Sequence, residues 1–131
     1  MKKMIFSLCW LGEDWRGTRY QKYLEYYLKL QNELEFDRII LVDNASDMNL
    51  LLKLKANIYE AETKKLIHYK HGSVVDVYRY KKHLARTDML EYPYCWRGTV
   101  FVQDFIKQNP TLEKIYFIDS DLYVLSKKLT K

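Results

Sequence analysis

Two aspartates one residue apart, Asp119 and Asp121, lie within "KIYFIDSDLYVLS" at residues 114–126, between two apolar runs. Carboxylates beside a hydrophobic strand are costly to bury unless a cation or hydrogen-bond donors compensate them. At this D-x-D spacing they offer hard oxygen ligands of the kind Mg2+ and Mn2+ take, and such a metal shares its coordination readily with phosphate. It would neutralise a diphosphate leaving group and act as a Lewis acid. The structural alternative is that Asp119 caps a turn and Asp121 is solvated. A third carboxylate, Asp43, closes the branched apolar run "DRIILVD" at residues 37–43.

These carboxylates need a scaffold that brings them together. "KMIFSLCWLG", beginning at residue 3, reads as a first strand with apolar residues on both faces, followed by the loop "GEDWRG". Thr18 then caps a helix, with Gln21 at the capping-box position. Tyr20, Tyr23, Leu24, Tyr27 and Leu28 follow the i, i+3, i+4, i+7, i+8 pattern of its core-facing stripe. Residues 37–43 have the composition of a parallel strand covered on both sides. Asp47 caps a short helix through Lys55. "KKLIHY" at 64–69 reads as a third strand, and "WRGTVFVQDFIKQ" at 96–108 as a helix stopped by Asn109-Pro110. "KIYFID" is a fourth strand and "LYVLS" a short fifth. His71 to Tyr94 is tyrosine-rich and of mixed charge, and the one element expected there is a helix over residues 76–86. Alternating strands and helices specify an α/β fold: a Rossmann-like, mostly parallel sheet of four to five strands flanked by helices. In such a sheet ligands bind outside the carboxyl ends of the strands, so Asp43 and the Asp119/Asp121 pair face the same edge.

The bulk properties limit the function classes. The 131 residues fit one domain, and 48% hydrophobic residues is a globular composition. Twenty-two Lys and Arg against 17 Asp and Glu give +5, a balance that suits an anionic partner. Cys9 and Cys95 have no CxxC or zinc spacing and read as two reduced thiols. No apolar run approaches the ~20 residues of a membrane span. "MKKMIFSLCWLGED" lacks a small-residue cleavage site and reads as a strand after a basic N-terminus. A cytoplasmic location, including the cytoplasmic face of the membrane, is expected. No Walker-type loop and no G-x-G-x-x-G is present, which argues against a P-loop NTPase and a standard NAD enzyme.

"RIILVDNASD" together with "KIYFIDSDLYVLS" resembles the GT-A glycosyltransferases, enzymes that use nucleotide sugars on a Rossmann-like sheet. The resemblance implies that the first strand and loop, near Leu11 and Gly12, lie against the nucleoside. It implies that Asp43 contacts the base or ribose. Asp119 would bind the ribose and the metal-diphosphate, with Asp121 the direct ligand of Mn2+ or Mg2+. The helix opening at Arg97 and Gly98 occupies the place of a donor-side helix. The implied partners are a UDP- or GDP-linked sugar and a saccharide or lipid-linked acceptor. The resemblance also implies a missing acceptor half, because the family continues well past D-x-D, and a partner chain or homo-oligomer could complete it. No catalytic base is assigned.

Weaker signals surround this core. "VYRYKKHLAR" at 77–86 interleaves tyrosines with Arg79, Lys81, Lys82 and Arg86; diphosphate contact or base stacking competes with a solvated helix face. Arg97 is the better anion ligand, since it opens a helix and helix N-termini favour anions. Trp15, beside Asp14 and Arg16 in the first loop, either stacks on a base or covers the sheet edge. His68 and His71 lie on a strand and turn, so zinc is not expected. The competing readings are a non-catalytic binding or assembly module with the same half-fold, a nucleotidyltransferase-like domain, and a basic nucleic-acid-binding α/β domain. Nucleic acid is the disfavoured partner. Metal-dependent donor binding, an exposed apolar face, turnover of a nucleoside triphosphate and steep salt dependence of oligonucleotide binding would distinguish them.

Overall fold

The computed structural model describes residues 3–11, 14–82 and 93–118. In chain order the elements are β1 (Lys3–Cys9), α1 (Asp14–Lys29), α2 (Gln31–Leu34), β2 (Arg38–Asp43), α3 (Met48–Leu52), β3 (Asn57–Glu60), β4 (Leu66–His68), β5 (Val75–Arg79), α4 (Pro93–Gln108) and β6 (Lys114–Phe117). The strands form one sheet in the order β4-β3-β5-β2-β1-β6. All neighbours are parallel except the β3–β4 hairpin.

Strand periodicity sorts the core into two layers. Ile5, Ile39, Leu41, Val75 and Val77 face one side of the sheet, where Tyr20, Tyr23, Leu24 and Tyr27 of α1 and Leu51 of α3 pack on them. Met4, Phe6, Ile40 and Val42 face the other side, against Phe101, Val102 and Phe105 of α4. The stripe at helical spacing in α1 is therefore core as its periodicity requires, except Leu28, which was expected in it and is 39% exposed. Tyr23 and Tyr27 are fully buried, and their rings lie 4.9 Å apart. Asp47 caps α3 by accepting the amide of Asn49 at 2.8 Å. Among the described residues, no helix is long and apolar enough to cross a membrane.

The α/β class and the mostly parallel sheet agree with the sequence reading; several elements differ from it. Six strands are described where four to five were expected. Residues 76–86 were expected to be helical, yet Val75–Arg79 is a strand between β3 and β2. Its buried acid, Asp76, obscured it. Arg38 offsets that charge through two 2.7 Å bonds, from Nε to Oδ2 and from a terminal nitrogen to Oδ1. The amide of Asn57 donates to the same Asp76 Oδ1 at 3.1 Å. Asn57–Glu60 is a strand the sequence reading did not contain. "KKLIHY" shortens to β4, antiparallel at the sheet edge. The first helix starts at Asp14, so Thr18 lies inside it rather than at its cap, and residues 14–16 are its first turn rather than a loop. The fifth strand, "LYVLS", lies outside the described residues.

Candidate functional site

β1, β2, β5 and β3 run parallel and end at one edge. Cys9 pairs with Asp43, Asp43 with Arg79, and Arg79 with Glu60. The order in which strands are added reverses at β1, whose two parallel neighbours are β2 and β6. From β1 the chain passes through α1 to β2 on one side, and it reaches β6 on the other side through α4. Open α/β sheets usually take ligands outside the carboxyl ends of the strands where the order reverses, here β1 and β6.

The β2–α3 turn, residues 44–47, is built around Asp43, whose side chain is fully buried. Its Oδ2 accepts the amide of Ser46 at 2.8 Å, and its Oδ1 accepts the Ser46 hydroxyl at 2.5 Å. The Cys9 thiol also bonds to it. Burial raises the Asp43 carboxyl above its ordinary value of 3.8, and the bonds from Ser46 and Cys9 and the charge of Arg79 offset this only in part. Burial likewise pushes the Cys9 thiol well up, and the neighbouring Asp43 charge adds to it. Cys9 is an inert core thiol, free and buried. Ala45 takes the left-handed conformation at φ 58° that closes this turn.

Both faces of the sheet clamp the turn. The Ser46 hydroxyl accepts the Leu11 amide at 2.8 Å, tying it to the loop after β1. Arg79 Nε donates to the Ser46 carbonyl at 2.8 Å. On the opposite side Arg97 of α4 donates to Asn44 Oδ1 at 2.6 Å and to the Lys82 carbonyl at 2.7 Å. Its guanidinium lies over the Tyr80 ring at 4.0 Å from the centroid. Gly98 brings α4 onto β1: a Cβ there would meet Leu8 Cδ2 at 2.2 Å.

β6 is held beside β1 by pairing from Lys3↔Lys114 to Phe6↔Phe117. The Ile118 amide donates to the Phe6 carbonyl at 3.0 Å. The Tyr23 hydroxyl, buried under α1, donates to the Ile118 carbonyl at 2.7 Å. Ile118, the residue before Asp119 in sequence, is thus bonded to both β1 and α1.

Of the expected site residues, the structure brings Asp43 and Arg97 to one turn, joined through Asn44. Asp119 and Asp121 lie outside the described residues. Among those that are described, no cluster of three or more His, Cys, Asp or Glu side chains could hold a metal ion. The two-carboxylate D-x-D is chemically suited to Mg2+ or Mn2+. Sequence reasoning missed Asn44, Ser46, and the positions of Arg79 and Tyr80. The signal for the last two was "SVVDVY", whose alternating valines mark a strand. No family model matches the chain, and no curated protein or solved structure matches it.

Proposed function

We propose that this chain is a GT-A-like glycosyltransferase domain that binds a nucleoside diphosphate sugar at the carboxyl edge of its sheet. The glycosyl group would pass to a saccharide or lipid-linked acceptor. The observation that supports the reading is the reversal of strand order at β1, with the Asp119-Ser120-Asp121 sequence beginning two residues after the end of β6. Asp119 and Asp121 hold Mn2+ or Mg2+ in this proposal. When bound, the ion supplies charge neutralisation of the leaving diphosphate. Asp43 has both oxygens turned to Ser46. It therefore serves nucleoside recognition through the turn that it shapes. Arg97 is committed to Asn44 and to the Lys82 carbonyl. Its role is to lock that turn to the loop after β5 beside the diphosphate.

A second reading, the non-catalytic assembly module, draws on apolar side chains exposed on α4 and β6: Val100 at 54% and Phe117 at 56%. Calorimetric titration of UDP and GDP, with and without Mn2+, separates the two. Metal-dependent binding of one nucleotide, lost in Asp121→Asn, is the expected result. Failure of both nucleotides to bind under any metal condition would overturn donor binding and leave the assembly module.

A further inference from the structure

We propose that the β4 edge of the sheet is a docking surface for an anionic lipid bilayer. β4 ends the sheet order, and among the described residues only β3 pairs with it. Around it the sequence reads "KKLIHYKH", residues 64–71, with three lysines, two histidines and no acid. Three apolar or aromatic side chains of this short stretch point into solvent: Leu66 and Ile67 at 46% each and Tyr69 at 62%. Such exposure is unusual in so small a segment, and it marks a contact surface.

The neighbouring charges say what covers it. Lys65 and Lys70 are exposed, and among the described residues neither forms an ion pair. Lys64 is turned toward α4, reaching Gln108 and the Phe101 ring. The nearest acids in sequence make their hydrogen bonds and ion pair with other residues, although Glu60 also feels the charge of Lys65. Glu60 accepts from Thr63 and pairs with Lys81, and Glu62 accepts the Lys81 amide. The edge is therefore cationic as well as apolar.

Two other occupants fit less well. Edge-to-edge pairing with a second copy would bring like-charged lysines together. The β3–β4 register is also broken between Ile58 and Tyr59, the kind of irregularity that blunts strand addition. Nucleic acid would use Tyr69 and the lysines but has no use for exposed Leu66 and Ile67. A bilayer interface takes all of them. Aliphatic tips enter the acyl boundary, a tyrosine sits at headgroup depth, and lysines meet anionic headgroups. This surface lies at the opposite end of the sheet order from β6, so it stands independently of the donor-site reading.

The test is co-sedimentation of the whole chain with phosphatidylcholine vesicles, with and without phosphatidylserine. Binding is expected to the anionic vesicles only and to weaken between about 0.1 M and about 1 M salt. Lys65→Gln with Lys70→Gln should reduce partitioning about 25-fold, because each basic residue near such a surface contributes about fivefold. Leu66→Ser with Ile67→Ser should reduce it about tenfold or more. All four positions are exposed, so urea midpoints should stay at the wild-type value in both variants. Absence of binding, or equal binding to neutral vesicles, would overturn the proposal. So would a serine pair that lowers the mass at sedimentation equilibrium while leaving vesicle binding intact, which would indicate a second copy. A lysine pair that abolishes oligonucleotide binding, beside a serine pair that binds vesicles as wild type does, would also overturn it.

Discussion

Ser46→Ala removes a single oxygen from the turn at the carboxyl edge, and the structure gives that oxygen two partners. It donates to Asp43 Oδ1 at 2.5 Å and accepts the Leu11 amide at 2.8 Å. Ser46 is 1% exposed and Leu11 and Asp43 are fully buried, so water cannot replace either bond without a rearrangement. A hydrogen bond to a charged acceptor contributes about 1.5–3 kcal/mol, and a buried amide left unsatisfied costs about 1–3 kcal/mol. Since the two losses share one relaxation, a total of about 3–4 kcal/mol is expected. That is a large share of the roughly 5–15 kcal/mol that holds a domain together. With a urea m-value of about 2 kcal/mol/M, the midpoint should fall by about 1.5–2 M at unchanged m. Asp47→Ala, which removes only the exposed α3 cap, should cost about 1 kcal/mol and serves as the control. The Ser46 bonds hold the Asp43 carboxyl down, so their loss raises it further. A raised carboxyl adds stability that is complete below its ordinary value and is lost as pH climbs through the folded one. The cost of Ser46→Ala should therefore be greater at neutral pH than in acid. A midpoint shift no larger than that of Asp47→Ala would refute the argument.

The remaining expectations concern the same edge. Asp43 is raised above 3.8 because burial outweighs its hydrogen bonds. The stability tied to its protonated form is complete below that value and lost as pH rises through the folded one. Asn carries no such component, so the margin of wild type over Asp43→Asn should narrow from acid to neutral pH. Urea midpoints measured across that range would show it, and a widening margin would contradict burial as the dominant cause. Gly98→Ala places a methyl carbon 2.2 Å from Leu8 Cδ2 and should destabilise by about 1–3 kcal/mol. Leu8→Ala made in the same chain should recover part of that loss, so a double-mutant cycle that comes out additive would count against the contact. Tyr23→Phe leaves the Ile118 carbonyl without its 2.7 Å donor at a cost of about 1–2 kcal/mol. Hydrogen exchange at the Ile118 amide should accelerate beyond the global change, and exchange that tracks global stability alone would argue against a local anchor.

What the sequence disclosed depended on how uniform each segment is. "DRIILVD" is apolar at every position from Ile39 to Val42 and reads as a doubly covered strand; the structure buries all five residues from Ile39 to Asp43. The α1 tyrosines sit at helical spacing and form the core layer that their period demands. β5 was hidden because Asp76 interrupts its valines, and the residue that offsets it, Arg38, is 38 positions away in the chain. No local pattern can show such a pair. β3 was hidden by brevity: four residues, with Asn at one end and Glu at the other, give no periodicity to detect. Placing Asp43 at the carboxyl edge followed from topology alone. Its burial could not be read in advance, because that depends on Ser46 folding back three residues later. Arg97 was expected at a helix start facing an anion, but α4 begins at Pro93 and Arg97 lies in its second turn. The aromatic ring that receives it, Tyr80, belongs to a segment read as helical, so the stack was invisible.

The carboxyl edge is organised by bonds that tie strand ends to turns rather than by bonds within strands. Asp43 is an acid in a fully buried position, which an apolar residue would fill at lower electrostatic cost. Its carboxylate fixes the turn after β2 through Ser46, and Ser46 in turn fixes the chain after β1 through Leu11. Arg79 and Arg97 reach that turn from opposite faces of the sheet, which holds it against both. The end of β6 is fastened separately, by Phe6 and by the Tyr23 hydroxyl. A loop held only by its own backbone would move relative to the sheet. Here the turn after β2 and the end of β6 are both tied to β1 or the loop that follows it. Groups already held in place in this way would lose little freedom on meeting the ligand proposed above. The polar residues at this edge thus trade the lower electrostatic cost of an apolar filling for a turn fixed by several hydrogen bonds.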